Sequence, residues 1–171
     1  MKIPIVSIVG KSDSGKTTLI CGLLPELKRR GYRVATIKHD VHGFEIDKPG
    51  KDTWKHNQAG ADIVVISSPA KIALLEKVRE ELTLDQVMAK IADVDIILSE
   101  GYKKNNKPKI EVFRSVVHEA PICGGEDNLI ALASDVRLEF CVPVFALDDY
   151  AGMVDLIEER FLGGGRDRAL L

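Results

Sequence analysis

The chain has 171 residues, of which 45% are hydrophobic and 29% charged, and its 24 basic and 26 acidic side chains leave a net charge of −2. Those are ordinary values for about one globular domain, and they exclude a disordered tail protein, a collagen-like repeat and a coiled coil. The balanced charge carries no nucleic-acid footprint, and no apolar run is long enough to cross a bilayer.

In chain order, Ile3–Val9 is almost continuously apolar and stops at Gly10, the pattern of a strand buried on both faces of a parallel sheet. From Gly15 to about Arg30 the period becomes helical, with a stripe of Leu19, Leu23, Leu24 and Leu27, basic residues in the last turn and Gly31 as the stop. Pro25 sits inside this helix and is expected to kink it. Arg33–Lys38 reads as a second strand, which makes a βαβ opening. His39–Lys51 is a long polar loop with Gly43, Pro49 and Gly50, expected to become ordered with a ligand or partner, and its Phe44 is a docking candidate. A short helix at Asp52–Ala61 is followed by a strand at Asp62–Ser68 and a neighbouring strand at Lys71–Leu75 after the Pro69 turn. Thr83–Ile91 is helical with Thr83 as N-cap, and Val94–Ser99 is a strand closed by Glu100-Gly101. Tyr102–Pro108 is a basic, Asn-rich loop. Three short strands follow at Lys109–Arg114, Leu129–Ala133 and Val142–Ala146, then a helix at Asp149–Leu162 ended by Gly163. The alternation predicts a single α/β domain over residues 1–171, with a frayed tail at 165–171. The expected architecture is three-layered and P-loop NTPase-like, its sheet largely parallel and partly mixed.

A domain of this size buries roughly 70% of its unfolded surface, so it needs no disulfide or structural metal. Cys21, Cys123 and Cys141 are far apart and form no C-x-x-C, which reads as buried free thiols in a reducing cytosol. Met1–Val6 lacks the long apolar stretch and cleavage site of a signal peptide, so a cytoplasmic location is expected.

The strongest signal is Gly10-Lys11-Ser12-Asp13-Ser14-Gly15-Lys16-Thr17, which fits G-x-x-x-x-G-K-[ST] at every defined position. A chance match in a chain of this length is on the order of 1% at ordinary glycine usage. The strand before it and the helix after it are the context this motif requires. Gly10 and Gly15 let the backbone curl so that N–H groups along Ser12, Asp13 and Ser14 converge on one oxyanion. Lys16 then places its ammonium between β- and γ-phosphates, Thr17 offers its hydroxyl to Mg²⁺, and Thr18 completes the nucleotide-binding set.

A second acid is expected at the carboxyl end of another strand, where open α/β sheets bind ligands. That rule selects Glu100 over Asp95, which lies about 16 Å away at the amino end of the same strand. Gly101 behind Glu100 allows close backbone approach. Asp40, after the second strand, is the other candidate, holding Mg²⁺ through water or orienting the attacking water. The catalytic set is thus Lys16, Asp40 and Glu100, and the metal set Thr17, Glu100 and Asp40. His39 and His42, on a glycine-containing loop, do not define a closed transition-metal site. Asp135, after the apolar run Leu129–Ala133, is placed at a strand's carboxyl end where a base would lie, and were that base guanine its carboxylate could accept from N1–H and the 2-amino group together, although the familiar Asn-Lys-x-Asp guanine reader is absent; Asp148 is its rival, and both also read as turn or helix caps. Arg79, Arg114 and Arg137 are scattered, and no motif brings an arginine to Lys16, so slow intrinsic turnover is expected.

The phosphate loop, the stretch Lys38-His39-Asp40-Val41-His42-Gly43-Phe44-Glu45-Ile46-Asp47-Lys48-Pro49-Gly50-Lys51-Asp52-Thr53, and Ser99-Glu100-Gly101-Tyr102-Lys103 resemble the molybdopterin-guanine dinucleotide biosynthesis adapter family. Lys109–Arg114 and Leu129–Asp135 also fit, so the resemblance spans residue 3 to about residue 162. It implies a homodimer that binds GTP with Mg²⁺, hydrolyses it weakly and assists the molybdopterin guanylyltransferase that joins GMP to molybdopterin. Two other classes use the same loop. A small-metabolite kinase would need an arginine-bearing lid, and a nickel-insertion GTPase a His-rich tract or well-placed cysteines. Neither feature is evident.

Overall fold

The computed structural model describes residues 2–103, 105–124 and 128–163. The tail expected at 165–171 lies outside them. The chain divides into two compact units, one formed by residues up to His39 together with Ala89 onward, the other by Asp40–Met88.

The first unit holds β1 (Ile5–Val9), α1 (Lys16–Arg29) and β2 (Val34–Lys38). The second interrupts it with α2 (Asp52–Gln58), β3 (Ile63–Ser68), β4 (Lys71–Glu76) and α3 (Leu84–Met88). The first unit resumes with β5 (Ile96–Glu100), β6 (Lys109–Phe113), β7 (Leu129–Ser134), β8 (Val144–Ala146) and α4 (Tyr150–Ile157). A π-helical turn, Glu158–Leu162, extends α4 until Gly163 stops it in the left-handed region.

The six-strand sheet is parallel throughout in the order β2-β5-β1-β6-β7-β8. The second strand therefore does not pair with the first; β5 inserts between them. One sheet face carries the apolar core, where Val6, Ile8, Leu98 and Ile110 pack with Leu23 and Leu27 of α1 and with Met153 and Ile157 of α4. Each such side chain stabilises the fold by roughly 1.5–3 kcal/mol when fully buried. The expected stripe on α1 shifts by one position: Ile20 is buried with Leu19, Leu23 and Leu27, while Leu24 is only partly covered. Pro25 lies inside α1 without ending it.

Alternation sends Ser7, Ser99, Lys109 and Glu111 to the opposite sheet face, where all four are buried. Their polar atoms are satisfied locally. The Ser7 and Ser99 hydroxyls are 2.8 Å apart, and Asn105 Nδ2 donates to Ser7 Oγ (3.3 Å). The backbone N–H groups of Ile122 and Cys123 donate to the two Glu111 carboxylate oxygens at 2.7 and 2.9 Å.

In the second unit, β3 and β4 form a separate antiparallel hairpin. Thr83 caps α3 as expected, with a reciprocal bond to Gln86: Gln86 N–H donates to Thr83 Oγ1 (3.3 Å) and Thr83 N–H to Gln86 Oε1 (2.8 Å). The cysteines depart from expectation. All three are free, but Cys21 and Cys141 are exposed and Cys123 is half-buried. Cys21 falls between the buried positions of α1, on its outward side, where the helical period puts solvent.

Candidate functional site

The phosphate loop leaves the carboxyl end of β1, where the strand order reverses between β5 and β6. Its curl depends on backbone that side chains resist: Gly10 has φ +150°, Gly15 φ +97° and even Asp13 φ +60°. At Gly10 space is also closed, because a Cβ would come within 2.6 Å of both Ser14 Oγ and Val112 O. Gly15 immediately precedes α1, so the helix N-terminus opens into the loop. Lys16 folds back, and its Nζ donates to Lys11 O (2.7 Å). Burial lowers the Lys16 pKa; Glu100 opposes that shift, whereas Lys103 adds to it. An arriving anion would relieve both penalties. Ser14 Oγ is buried and has no hydrogen-bond partner in this loop.

Glu100 ends β5, whose neighbours are β1 and β2, and it lies where the strand-end rule predicts. Thr17 Oγ1 is 3.0 Å from both Glu100 Oε1 and Oε2, so the hydroxyl straddles the carboxylate. A hydroxyl beside a carboxylate is a hard-oxygen donor pair of the kind Mg²⁺ prefers. Asp95 lies at the amino end instead, where its Oδ2 accepts from Arg33 N–H (2.8 Å). His39 N–H donates to Glu100 O (3.1 Å), and the His39 ring stacks on Tyr102 with centroids 4.3 Å apart. That stack explains why position 101 is glycine: φ is +94°, and a Cβ there would crowd His39 Cβ at 3.3 Å.

Asp40 follows His39 and opens the second unit. Its Oδ1 accepts from His42 N–H (2.9 Å), an Asx turn at the head of the loop. Among the described residues no group of three or more His, Cys, Asp or Glu side chains is arranged to hold a metal ion. Asp135 follows β7 directly, and its Oδ1 accepts from Ser115 N–H (2.8 Å), a bond that lowers its pKa. Asp148 is elsewhere, in a cleft with Gly22, Pro25 and Arg29 along the second half of α1.

Sequence reasoning missed the turn after β6. His118 Nε2 lies 2.8 Å from Ser12 O, and since a carbonyl only accepts, this nitrogen carries the proton. A Cβ built at Gly15 would lie 4.0 Å from Arg114 Cδ. An arginine does stand beside the phosphate loop, contrary to the expectation that none is brought there. The strand-end rule that selected Glu100 and Asp135 applies equally to Arg114, which follows β6 directly.

A phosphate loop at the switch point of a parallel sheet, faced by a strand-end carboxylate, defines a P-loop NTPase-like α/β protein. Comparison with known proteins narrows the class. Residues 5–135 match the family described as molybdopterin guanine dinucleotide synthesis protein B, and the chain belongs to that family. It is 36% identical over 162 residues to the molybdopterin-guanine dinucleotide biosynthesis adapter protein of Escherichia coli, covering 92% of this chain and 93% of the relative. It is 32% identical over 159 residues to the Haemophilus influenzae adapter protein, covering 92% and 89%. Among solved structures, Bacillus subtilis MobB superposes with a TM-score of 0.73 at 29% identity, covering 94% of this chain and 99% of that one. A crystal structure of molybdopterin-guanine biosynthesis protein B superposes at 0.72 with 32% identity, covering 92% and 99%. No described helix is long and apolar enough to cross a membrane.

Proposed function

We propose that this protein is a GTP-binding, slowly GTP-hydrolysing adapter in molybdopterin guanine dinucleotide biosynthesis, assisting the enzyme that joins GMP to molybdopterin in the cytoplasm. The observation that carries the reading is the phosphate loop with Thr17 set on Glu100, found in a chain whose relatives are named as adapters of this pathway. The loop amides and Lys16 bind and orient the phosphates, and the buried Ser14 hydroxyl is a further donor waiting in that cradle. Thr17 and Glu100 are the residues that would hold Mg²⁺, which would supply neutralisation of charge on the phosphates. Guanine reading falls to Asp135, whose Oδ1 already accepts from Ser115, so a guanine edge would use Oδ2 and the remaining lone pair of Oδ1.

The adapter role draws on the second unit. On one face of the hairpin Ile63, Val65, Ile72 and Leu74 are all exposed, and alternation places them together. That apolar face is the one we assign to a second copy of this chain, while exposed Phe44 and Ile46 of the loop serve the guanylyltransferase partner.

The test is GTP binding and phosphate release with and without Mg²⁺, on wild type, Lys16→Ala and Glu100→Gln. Wild type should bind GTP and release phosphate slowly with no acceptor. Lys16→Ala should lose nucleotide with unchanged melting, and Glu100→Gln should lose about 10–100-fold in release while keeping binding. Triphosphate affinity unchanged in Lys16→Ala overturns the site. Acceptor-dependent ADP formation would make the protein a kinase.

A further inference from the structure

The geometry points to Arg114 as a second phosphate-binding cation, supplied in cis by a turn fastened against the phosphate loop. The inference rests on the nucleotide reading above and deepens it by naming a contact residue that the motif does not contain.

Four observations carry it. Arg114 follows Phe113, the last residue of β6, at the carboxyl end of the strand beside β1, the same sheet edge that carries the phosphate loop. Its Cδ approaches Gly15, the residue from which α1 starts, and the guanidinium extends beyond that atom. The side chain is half-buried, yet no hydrogen bond or ion pair joins its guanidinium to any described residue. Finally, the turn is held without using that guanidinium. Val117 and His118 N–H donate to Arg114 O at 3.1 and 3.0 Å, and Ser115 N–H donates to Asp135. His118 Nε2 donates to Ser12 O, inside the phosphate loop itself, and further along Glu111 accepts from Ile122 and Cys123.

A half-buried cation lacking an anion is unfavourable unless a ligand supplies one. Here every fastening of the turn leaves the guanidinium for that purpose, beside amides and an ammonium already arranged for phosphate. Arginine suits the position because its planar fork binds phosphate oxygens in pairs, with charge-assisted bonds about twice as strong as neutral ones. Lys16 is a point charge that folds back on Lys11 O, so the two cations address different oxygens. Asp135 and His118 are positioning residues in this arrangement; they hold the turn and do not supply its charge.

The experiment is competition of pyrophosphate and of GDP against a fluorescent guanine nucleotide, on wild type, Arg114→Gln, Arg114→Lys and Lys16→Ala, with melting recorded for each. Arg114→Gln should weaken pyrophosphate and GDP alike, by about 10–100-fold for the loss of one or two charge-assisted bonds. Melting should stay within a degree or two of wild type. Arg114→Lys should recover part of that loss, since it restores charge without the fork. Asp135→Asn should weaken pyrophosphate by a smaller factor, and should add nothing in the Arg114→Gln background, as expected of two residues that act through one contact. If GDP alone weakens and pyrophosphate does not, the guanidinium touches base or sugar and the inference is wrong. It is equally wrong if both affinities stay within twofold of wild type while Lys16→Ala abolishes binding, and in that case the phosphate-loop reading survives. If wild type binds neither ligand, both readings fall together.

Discussion

Two runs of nearly the same composition end in opposite surroundings. Ile96-Ile97-Leu98-Ser99 of β5 is wholly buried, whereas in Ile63-Val64-Val65-Ile66 of β3 only Val64 is. Both are rich in β-branched apolar side chains. The difference is what lies alongside: β5 has a strand on each side and α1 packed over it, and β3 has one partner, β4, in a sheet of two strands. A two-stranded hairpin is marginal alone in water. The apolar face of β3–β4 therefore makes sense as surface kept for something outside the chain, while the same residue types in β5 hold the first unit together.

That contrast can be broken by paired substitutions. Leu98 is 0% exposed and Leu74 56%. Leu98→Ala should cost about 2–5 kcal/mol in urea unfolding, from lost transfer energy plus a cavity. Leu74→Ala should stay within about 0.5 kcal/mol in dilute monomer. If Leu74→Ala proves as costly as Leu98→Ala at working concentration, the hairpin face is covered in solution, which sharpens the case for a second copy.

A smaller effect is expected where the first unit is tightest. A Cβ at Gly22 would lie 2.1 Å from Tyr150 Cε1, so α1 and α4 meet through a glycine and a ring. Gly22→Ala should cost about 1–3 kcal/mol by overpacking. The penalty should vanish in a Tyr150→Ala background; a persistent cost would mean that the ring is not what the new methyl meets.

The least of the expected effects is electrostatic. Glu26 is held near a pKa of about 2 by hydrogen bonds from Arg29 and then Arg30, and Arg30 also reaches Asp155 and Glu158 across to α4. A carboxylate pKa lowered on folding stabilises the protein above its unfolded value, and that contribution disappears as pH falls through the folded one. Melting temperature should thus decline from about pH 4.5 towards pH 2, in part through this group. Glu26→Gln should flatten the decline by removing the same contribution at neutral pH, a modest one because Arg29 and Asp155 of the cluster are exposed to screening solvent. In the second unit the Asp52–Lys55 pair (3.4 Å) is exposed on both sides, so Asp52→Asn should leave the acid response unchanged.

The sequence made the local features plain and hid the ones that depend on distant pairing. The phosphate loop, α1 and the cap at Thr83 are each specified within a few neighbouring residues, and the strand-end rule put Glu100 beside Thr17 across a separation of 83 positions. The pairing of Asp62–Ser68 with its neighbour at Lys71–Leu75 was legible from the turn between them, but nothing local reports that no third strand will join the two. The turn at Arg114–His118 was hidden for the converse reason. Its partners are Ser12, Gly15 and Asp135, from two other parts of the chain, and its residues form no motif among themselves. Exposed Cys21 shows the limit of composition: free cysteine is usually buried, but helical phase decides for each residue.

The two serine hydroxyls beneath the phosphate loop have a bearing on assembly as well as on polarity. Ser7 and Ser99 are register partners in β1 and β5. If either strand slipped by one residue, a hydroxyl would turn towards the α1 core and lose its mate, at about 1–3 kcal/mol for each orphaned group. The pair thus serves as an alignment mark for two strands whose ends carry Gly10 and Glu100. A chain that pairs these strands correctly has already set the spacing between loop and carboxylate while the sheet is still forming, and wrongly aligned intermediates are penalised at the step where they arise.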